Sequence, residues 1–312
     1  MTQTSSDIPQ VIFIMGPTAS GKTDLAVQLY EKLDCEIISV DSALVYRGMD
    51  IGTAKPDKSI LEKAPHRLID ICEPSESYSA ASFMKDANAA INEIINKGKT
   101  PLLVGGTGLY FRALEQGLAE LPEANYRIRA RIEAEGEKEG WRHLHTKLKD
   151  IDPDAAKRIN ENDPQRIQRA LEVYEITGET MTALLSEGRK QKLLFPIKKI
   201  ILSPDDRALL HERVKQRFLS MLASGLIEEV ESLYHRGDLS LSLPSMRMVG
   251  YRQVWRYLDG DTSYEEMQEH AIIATRQLAK RQITWCRSET DAKWYNSEDS
   301  GILSNILQNI QK

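Results

Sequence analysis

Cysteine is scarce in this 312-residue chain: Cys35, Cys72 and Cys286 lie far apart and form no C-x-x-C pair. That spacing argues against a disulfide framework and reads as reduced, structural thiols in a cytoplasmic protein. The six histidines form no H-E-x-x-H or paired Cys/His pattern, which argues against a structural zinc. No apolar run approaches the roughly 18 residues of a membrane span, and the first ten residues lack a basic segment. Neither a span nor a signal peptide is expected. Internal repeats and low-complexity segments are absent as well. A net positive charge is also missing: 41 Lys and Arg against 46 Asp and Glu give −5. This argues against a generally sticky nucleic-acid binder but leaves room for a local basic groove. With 41% hydrophobic and 28% charged residues the chain has the composition of a globular protein. Its length suits one core with a sizeable insertion.

The strongest local pattern is G-x-x-x-x-G-K-T at Gly16-Pro17-Thr18-Ala19-Ser20-Gly21-Lys22-Thr23, directly after the apolar run Val11–Met15. Strand, glycine-rich loop and helix in that order form a phosphate cradle. The glycines let successive backbone N–H groups converge on one oxyanion, Lys22 adds a mobile cation, and the Thr23 hydroxyl can hold Mg²⁺. The positive end of the following helix points the same way. Read alone, such a loop binds a di- or triphosphate, most often a nucleotide triphosphate as in the ATP-binding proteins, and does not say which.

Strand and helix signals alternate through the first 115 residues. Lys22–Leu33 reads as a helix, 36–40 as a strand ending at Asp41, Arg67–Ile71 as a short strand, and Ser79–Lys97 as a helix stopped by Gly98. Pro101–Val104 is a buried strand running into Gly105-Gly106-Thr107-Gly108. This alternation predicts an α/β fold, a P-loop NTPase-like parallel sheet with flanking helices and ligands at the carboxyl ends of its strands. From about Leu121 the chain becomes strongly charged and helical, one helix starting at Asp163-Pro164, before strand character returns at Ile197–Leu202. The predicted organisation is a core of 1–120 plus 190–312 with a helical insertion at 121–189. Helices over 207–235, 249–258 and 264–287 complete the core.

Several residues point to chemistry. Asp41 ends its strand, as a Mg²⁺-binding aspartate of a P-loop protein does, but a carboxylate there could equally take a proton from an acceptor substrate. The turn around Thr107 is either a tight structural turn or a second edge of the ligand site. Arg276, Lys280 and Arg287 fall within about 40° of one another on a helix. With Trp285, Leu278 and Ala274 opposite and no acid between His270 and Arg287, that basic side is expected to face outward. It is either a solvated face or a nucleic-acid contact. Arg247 and Arg252 flank a glycine, as an ordinary turn or a phosphate contact.

Taken together, GPTASGKT at 16–23, DSALVYRGMDIGTAKP at 41–56, PHRLID at 65–70, LLVGGTGLYF at 102–111, NDPQRIQRALEVY at 162–174, MRMVGYRQ at 246–253 and TRQLAKRQITW at 275–285 resemble the bacterial tRNA dimethylallyltransferases, or tRNA isopentenyltransferases. The blocks run in order across nearly the whole chain. Around 175–200 this chain looks short for the family. The resemblance implies transfer of a dimethylallyl group from dimethylallyl diphosphate to N6 of the adenosine immediately 3′ of the anticodon, in tRNAs reading codons that begin with U. Asp41 matches the family's base. The loop Gly16–Thr23 matches its diphosphate site, with Mg²⁺ near Thr23, and Lys22, Thr107 and Arg217 match residues that assist the reaction. Ser42, Ala43 and Leu44 would meet the target base beside Asp41 and Thr107. Contacts to the anticodon stem-loop would come from Arg129, from Gln165, Arg166, Ile167, Gln168 and Arg169, and from Arg247, Met248, Val249, Gly250, Tyr251 and Arg252. The last stretch comprises Lys280, Arg281, Gln282, Ile283, Thr284, Trp285, Cys286 and Arg287. The family's tRNA-gripping insertion falls where the composition shifts. A cytoplasmic monomer acting on tRNA is expected. An ATP-dependent kinase of a small metabolite, or a nucleotide-switched RNA-binding protein, shares the loop but needs no such ordered set.

Overall fold

The computed structural model describes residues 9–186, 188 and 193–310. Six strands form one sheet: β1 (Val11–Met15), β2 (Cys35–Val40), β3 (His66–Arg67), β4 (Thr100–Gly105), β5 (Ile197–Ser203) and β6 (Lys293–Asn296). Their order is β3-β2-β4-β1-β5-β6, and every neighbouring pair is parallel. All five residues of β1 are fully buried. A central parallel strand is covered on both faces, which is why it reads as a continuous apolar run. Ile12 and Ile14 face a core shared with Leu25, Leu29 and Ile306. The alternate residue Phe13 meets Phe111, ring centroids 4.9 Å apart. Each such side chain contributes about 1.5–3 kcal/mol of burial.

The helices are α1 (Lys22–Tyr30), α2 (Lys58–Lys63), α3 (Ala80–Asn96), α4 (Gly108–Gln116), α5 (Tyr126–Glu139), α6 (Trp141–Ile151), α7 (Pro153–Arg158), α8 (Pro164–Thr177), α9 (Met181–Ser186), α10 (Arg207–Ala223), α11 (Leu226–Tyr234), α12 (Tyr251–Leu258), α13 (Tyr264–Cys286) and α14 (Ile302–Ile310). Caps expected from sequence set several starts. Ser79 accepts from the Ser82 N–H at 3.0 Å, and Asp163 accepts from the Arg166 N–H at 3.2 Å. Ser263 and Glu266 close a reciprocal capping box at α13.

Two expectations need correction, and two elements were not expected. The strand expected to reach Ile71 stops at Arg67, because Leu68 and Asp70 take φ of 62° and 55°, outside strand geometry. The helix expected over 207–235 is broken after Ala223, where Gly225 takes φ 96°. The last strand and helix, β6 and α14, had no expectation at all. Tyr295 and Ile306 nonetheless join the core of β1 and α1.

The chain divides into two compact units, one reaching Leu114 and resuming at Leu194, the other Glu115–Leu193. The second is all helical among its described residues, packed around Ile132, Leu144, Leu148, Ile167 and Leu171. At its centre the fully buried Glu172 accepts from Arg129 Nε at 2.9 Å, Arg169 Nη1 at 2.6 Å and the Asn125 N–H at 2.7 Å. Burial alone would raise this carboxyl, but the bonds from Arg129 and Arg169 outweigh it and hold Glu172 below its ordinary range. A lowered carboxyl stabilises the fold fully above the ordinary value near 4.3 and loses that contribution as pH falls through the folded value. Glu172→Ala is therefore expected to cost roughly 1–3 kcal/mol, from losing the acceptor of three buried or half-buried donors. In hydrogen exchange, amides of 115–186 should open faster at neutral pH while β1 and β4 remain protected. Equal protection in variant and wild type would refute this role.

Candidate active site

Strand register places three loops side by side at the carboxyl edge of the sheet. Met15 pairs with Gly105, and Gly105 also pairs with Val40. The next residues, Gly16, Asp41 and Gly106, therefore leave the sheet together. The packing there has no room for side chains. A Cβ on Gly16 would lie 2.1 Å from the Leu202 carbonyl oxygen, and one on Gly105 would lie 2.0 Å from that of Val40. Ala19 and Gly21, at φ 62° and 87°, curl the phosphate loop into α1. Ala19 pays the strain of a left-handed non-glycine residue at the site itself.

Lys22 lies back across this loop, donating to the Pro17 carbonyl at 2.5 Å and approaching Ser20 Oγ at 3.5 Å. It forms no salt bridge with any described residue. Burial, then the nearby Arg217 charge, push its pKa down to about 8 against the opposing pull of Asp41. Burial likewise lowers Arg217, opposed by Asp41 and Asp24, and Arg217 makes no ion pair with a described residue. Two desolvated cations thus face one another without a carboxylate bonded to either, an arrangement that a polyanion would relieve. The Thr23 hydroxyl, at the start of α1, bonds no other described side chain.

Asp41 begins a turn in which its Oδ1 accepts from the Ala43 N–H at 2.8 Å, leaving Oδ2 free. Thr107 fixes this turn from the neighbouring strand. Its N–H reaches the Val40 carbonyl at 3.2 Å, and its Oγ1 accepts from the Ser42 N–H at 3.0 Å. The segment that follows is held from behind by Glu229 of α11, which accepts from the backbone N–H groups of Asp50, Ile51 and Gly52 at 2.9, 2.7 and 3.1 Å. Glu229 also takes the Tyr251 hydroxyl at 2.5 Å. Lys55, its side chain only 4% exposed, ties Asp50, Asp70 and the Tyr46 carbonyl together. Nothing in the sequence singled out Glu229 or Lys55, because an acid on a helix and a loop lysine are ordinary surface residues until the fold brings their partners together.

Two cavities meet at this edge. One, of about 710 Å³, is lined by Ser20–Asp24 with Arg213 and Arg217. The other, of about 620 Å³, has Asp41, Ser42 and Thr107 on one side and the apolar Val214, Phe218, Met221, Leu278 and Trp285 on the other. Ala19 and Arg217 line both, so an anion chamber and a mixed polar–apolar chamber share one wall.

The remaining site residues divide. Ser42 is exposed, and Ala43 and Leu44 are half-buried beside it. Lys280, Arg281 and Thr284 are exposed on α13 and Arg287 at its C-cap, as are Arg247 before α12 and Arg252 in its first turn. Met248, Val249 and Ile283 are half-buried, and Arg247, Met248, Val249, Gly250 and Tyr251 line the mixed chamber. In the helical unit Gln165 and Arg166 are exposed. Arg129 and Arg169 spend their guanidinium groups on Glu172, Gln168 donates to the Arg129 carbonyl at 3.0 Å, and Ile167 lies wholly in the core. Ile167 is therefore a packing residue.

On α13 the expected outward stripe is corrected at Arg276, which is half-buried with its Nε enclosed and unpartnered. Burial, and then the charges of Arg276 and Arg207, lower the pKa of His211 on α10, which α13 packs against. Leu278 and Trp285 are corrected too: they line the mixed chamber, and Trp285 stacks on Phe111 with centroids 5.8 Å apart. Cys286 is wholly buried, and burial pushes its thiol up to about 12. Gln282 turns inward, its Oε1 accepting from the Thr18 N–H at 2.8 Å and its Nε2 donating to the Gly106 carbonyl at 3.1 Å.

Among the described residues no group of three or more His, Cys, Asp or Glu is placed to hold a metal, and no helix is long and apolar enough to cross a membrane. A parallel sheet with a glycine-rich loop after β1, a carboxylate after β2 and unpaired cations between them defines a P-loop-like α/β protein. The family model described as IPP transferase matches residues 44–289, and the chain belongs to that family. It is 53% identical over 303 residues to the tRNA dimethylallyltransferase of Coxiella burnetii strain Dugway 5J108-111, covering 97% of both chains. The structure is similar to the full-length tRNA isopentenylpyrophosphate transferase of Bacillus halodurans, with TM-score 0.71, 37% identity, and coverage of 97% of this chain and 95% of that one. It is also similar to a eukaryotic dimethylallyltransferase acting on tRNA, with TM-score 0.79, 27% identity, and coverage of 97% and 77%.

The lowered Lys22 predicts a pH effect on anion binding. Below about 8 the ammonium is charged; above it the neutral amine attracts a phosphate less. Affinity for inorganic pyrophosphate should therefore fall as pH rises from 7 to 9 in wild type, beyond any change seen in Lys22→Met. Parallel pH profiles by titration calorimetry would exclude Lys22 from the anion site.

Proposed function

We propose that this enzyme transfers a dimethylallyl group from dimethylallyl diphosphate to N6 of the adenosine immediately 3′ of the anticodon, in tRNAs that read codons beginning with U. The observation that carries this reading is the shared wall at Ala19 and Arg217, which joins an anion chamber to one holding both a carboxylate and an apolar surface. A diphosphate fits the first chamber and a five-carbon chain the apolar side of the second. An adenine entering from solvent would face Asp41. Names of relatives sharing 53% and 37% of this sequence support the same substrates.

An exocyclic adenine amine is a poor nucleophile, because its lone pair is delocalised into the ring. As N6 bonds to the allylic carbon, the C–O bond to diphosphate breaks and its electron pair leaves with the diphosphate. The N6 proton passes to Asp41, whose Oδ2 is free while Oδ1 is held by the Ala43 N–H. Loop N–H groups, Lys22 and Arg217 stabilise the charge that grows on the departing oxygen. Thr107 holds the Asp41 turn through Ser42. The free Thr23 hydroxyl and the exposed Asp24 beside it supply hard oxygen donors suited to Mg²⁺. A bound Mg²⁺ would neutralise diphosphate charge there.

The target base is stacked in the anticodon loop and must be turned out to reach Asp41, at a cost of a few kcal/mol offset by backbone contacts. Exposed Lys280, Arg281 and Arg287 on α13, with Arg247 and Arg252, offer such contacts in unit one. Gln165 and Arg166 offer them in the helical unit, which we assign to tRNA. The enzyme is taken to act as a monomer in the cytoplasm, where its three buried thiols stay reduced.

Mixing the protein with unmodified tRNA, Mg²⁺ and either dimethylallyl diphosphate or ATP, then weighing the digested nucleosides, tests the reading. An isopentenyl mass gain on adenosine is expected; phosphate transfer from ATP without that gain would establish a kinase instead. Asp41→Ala should lower turnover by about 10²–10⁴ with tRNA affinity little changed, and unchanged turnover would return Asp41 to a structural role. Lys280→Ala should weaken tRNA binding and reduce the slope of log K against log salt by about 1. An unaltered slope would make Lys280 a solvated charge.

A further inference from the structure

Exposed Lys280, Arg281 and Thr284 surround Gln282 in sequence, yet its own half-buried side chain turns to the wall of the mixed chamber, where it meets the phosphate loop and the Gly106 turn. One amide bridges two loops: Oε1 accepts from the Thr18 N–H at 2.8 Å, and Nε2 donates to the Gly106 carbonyl at 3.1 Å. Both bonds fix the amide's orientation, since reversing it would set donor against N–H and acceptor against C=O. Gly106 makes room for it, because a Cβ there would lie 2.3 Å from Nε2. Thr18 adjoins Pro17, whose carbonyl receives Lys22, and Gly106 adjoins Thr107, which holds the turn beside Asp41. A single side chain therefore ties the phosphate loop to the turn after β4, whose Thr107 in turn holds the Asp41 turn after β2.

We propose that Gln282 is a positioning residue of the diphosphate site and not part of the surface that grips the RNA, although it is flanked by Arg281 on one side and by Ile283 and Thr284 on the other. This rests on the reading of Gly16–Thr23 as a diphosphate cradle. Without the amide, the Thr18 N–H and the Gly106 carbonyl lose their partners, and the loop is no longer held at one distance from Asp41. The consequence falls on the donor: anion affinity and turnover drop together while RNA binding is unaffected.

Inorganic pyrophosphate with Mg²⁺ and an anticodon stem-loop RNA are titrated separately into wild type, Gln282→Met and Gln282→Asn. Methionine keeps the volume without either bond; asparagine keeps the amide but is one methylene too short to span both loops. Both variants should bind pyrophosphate about tenfold more weakly, the effect of one or two unmade hydrogen bonds at a half-buried site. RNA affinity and its salt slope should match wild type. In turnover the KM for the prenyl donor should rise and that for tRNA stay put. Weakened RNA binding with unchanged pyrophosphate affinity would overturn the proposal, as would wild-type behaviour in both titrations. If Gln282→Met does not melt as wild type does, Gln282→Asn decides alone. A wild-type protein that binds pyrophosphate but no RNA overturns the proposed function and leaves the Gln282 comparison intact.

Discussion

The site depends on two half-buried cations, Lys22 and Arg217, to which the fold gives no bonded carboxylate among the described residues. Burial, and for Lys22 the nearby Arg217 charge as well, disfavours their charged forms. Asp41 relieves both partly, but it bonds neither: its Oδ1 is turned to the Ala43 N–H. That separation keeps the cations unpaired for an anion and the carboxylate available to an acceptor. Had Asp41 closed a salt bridge with Lys22, one neutral pair would have replaced two functional groups. Its position after β2, one strand beyond β4 from the phosphate loop, prevents this.

Backbone contact at the sheet edge enforces that position. Gly16 and Gly105 each approach a neighbouring carbonyl oxygen so closely that no Cβ fits, and β1, β2 and β4 end flush. Thr107 and Gln282 then fasten the loops that emerge. Behind them Glu229 draws the 50–52 backbone onto α11, and Gly52 lies against the Tyr251 ring, where a Cβ would come within 2.5 Å. The loop after Asp41 is thus built as firmly as a strand, although it has no regular structure. Firmness matters to the proposed reaction, because a proton acceptor displaced by an ångström loses much of its effect.

Local chemistry made part of this legible in the sequence. The phosphate loop, the strands before it and before Asp41, the caps at Ser79 and Asp163, and the helical character of the insertion all depend on neighbours within a few residues. Residues joined over long separations were not legible. Glu229 lies 178 positions from Ile51 and Gln282 lies 264 from Thr18, so periodicity carries no trace of either bond. The helical wheel of α13 misled for a related reason. A wheel separates basic from apolar residues but does not say which apolar residues meet the core and which meet a cavity. Leu278 and Trp285 line the chamber, while Arg276, on the nominally basic side, is drawn in beside His211.

Helix α13 shows how one element serves both substrates of the proposed reaction. An α-helix presents successive residues about 100° apart, so Arg281, Gln282 and Ile283 point in three directions from adjacent positions. The exposed cations are offered to solvent, Trp285 and Leu278 wall the mixed chamber, and Gln282 reaches the phosphate loop. A load on the outer face is therefore carried by the same rigid rod that pins the loop. Twenty-three residues of continuous helix, capped at Ser263 and packed on α10 and α12, make that rod stiff enough to transmit position. Split among separate loops, the same side chains would each need their own ordering, at about 1–2 kcal/mol of backbone entropy per residue. Placing them on one helix orders them once.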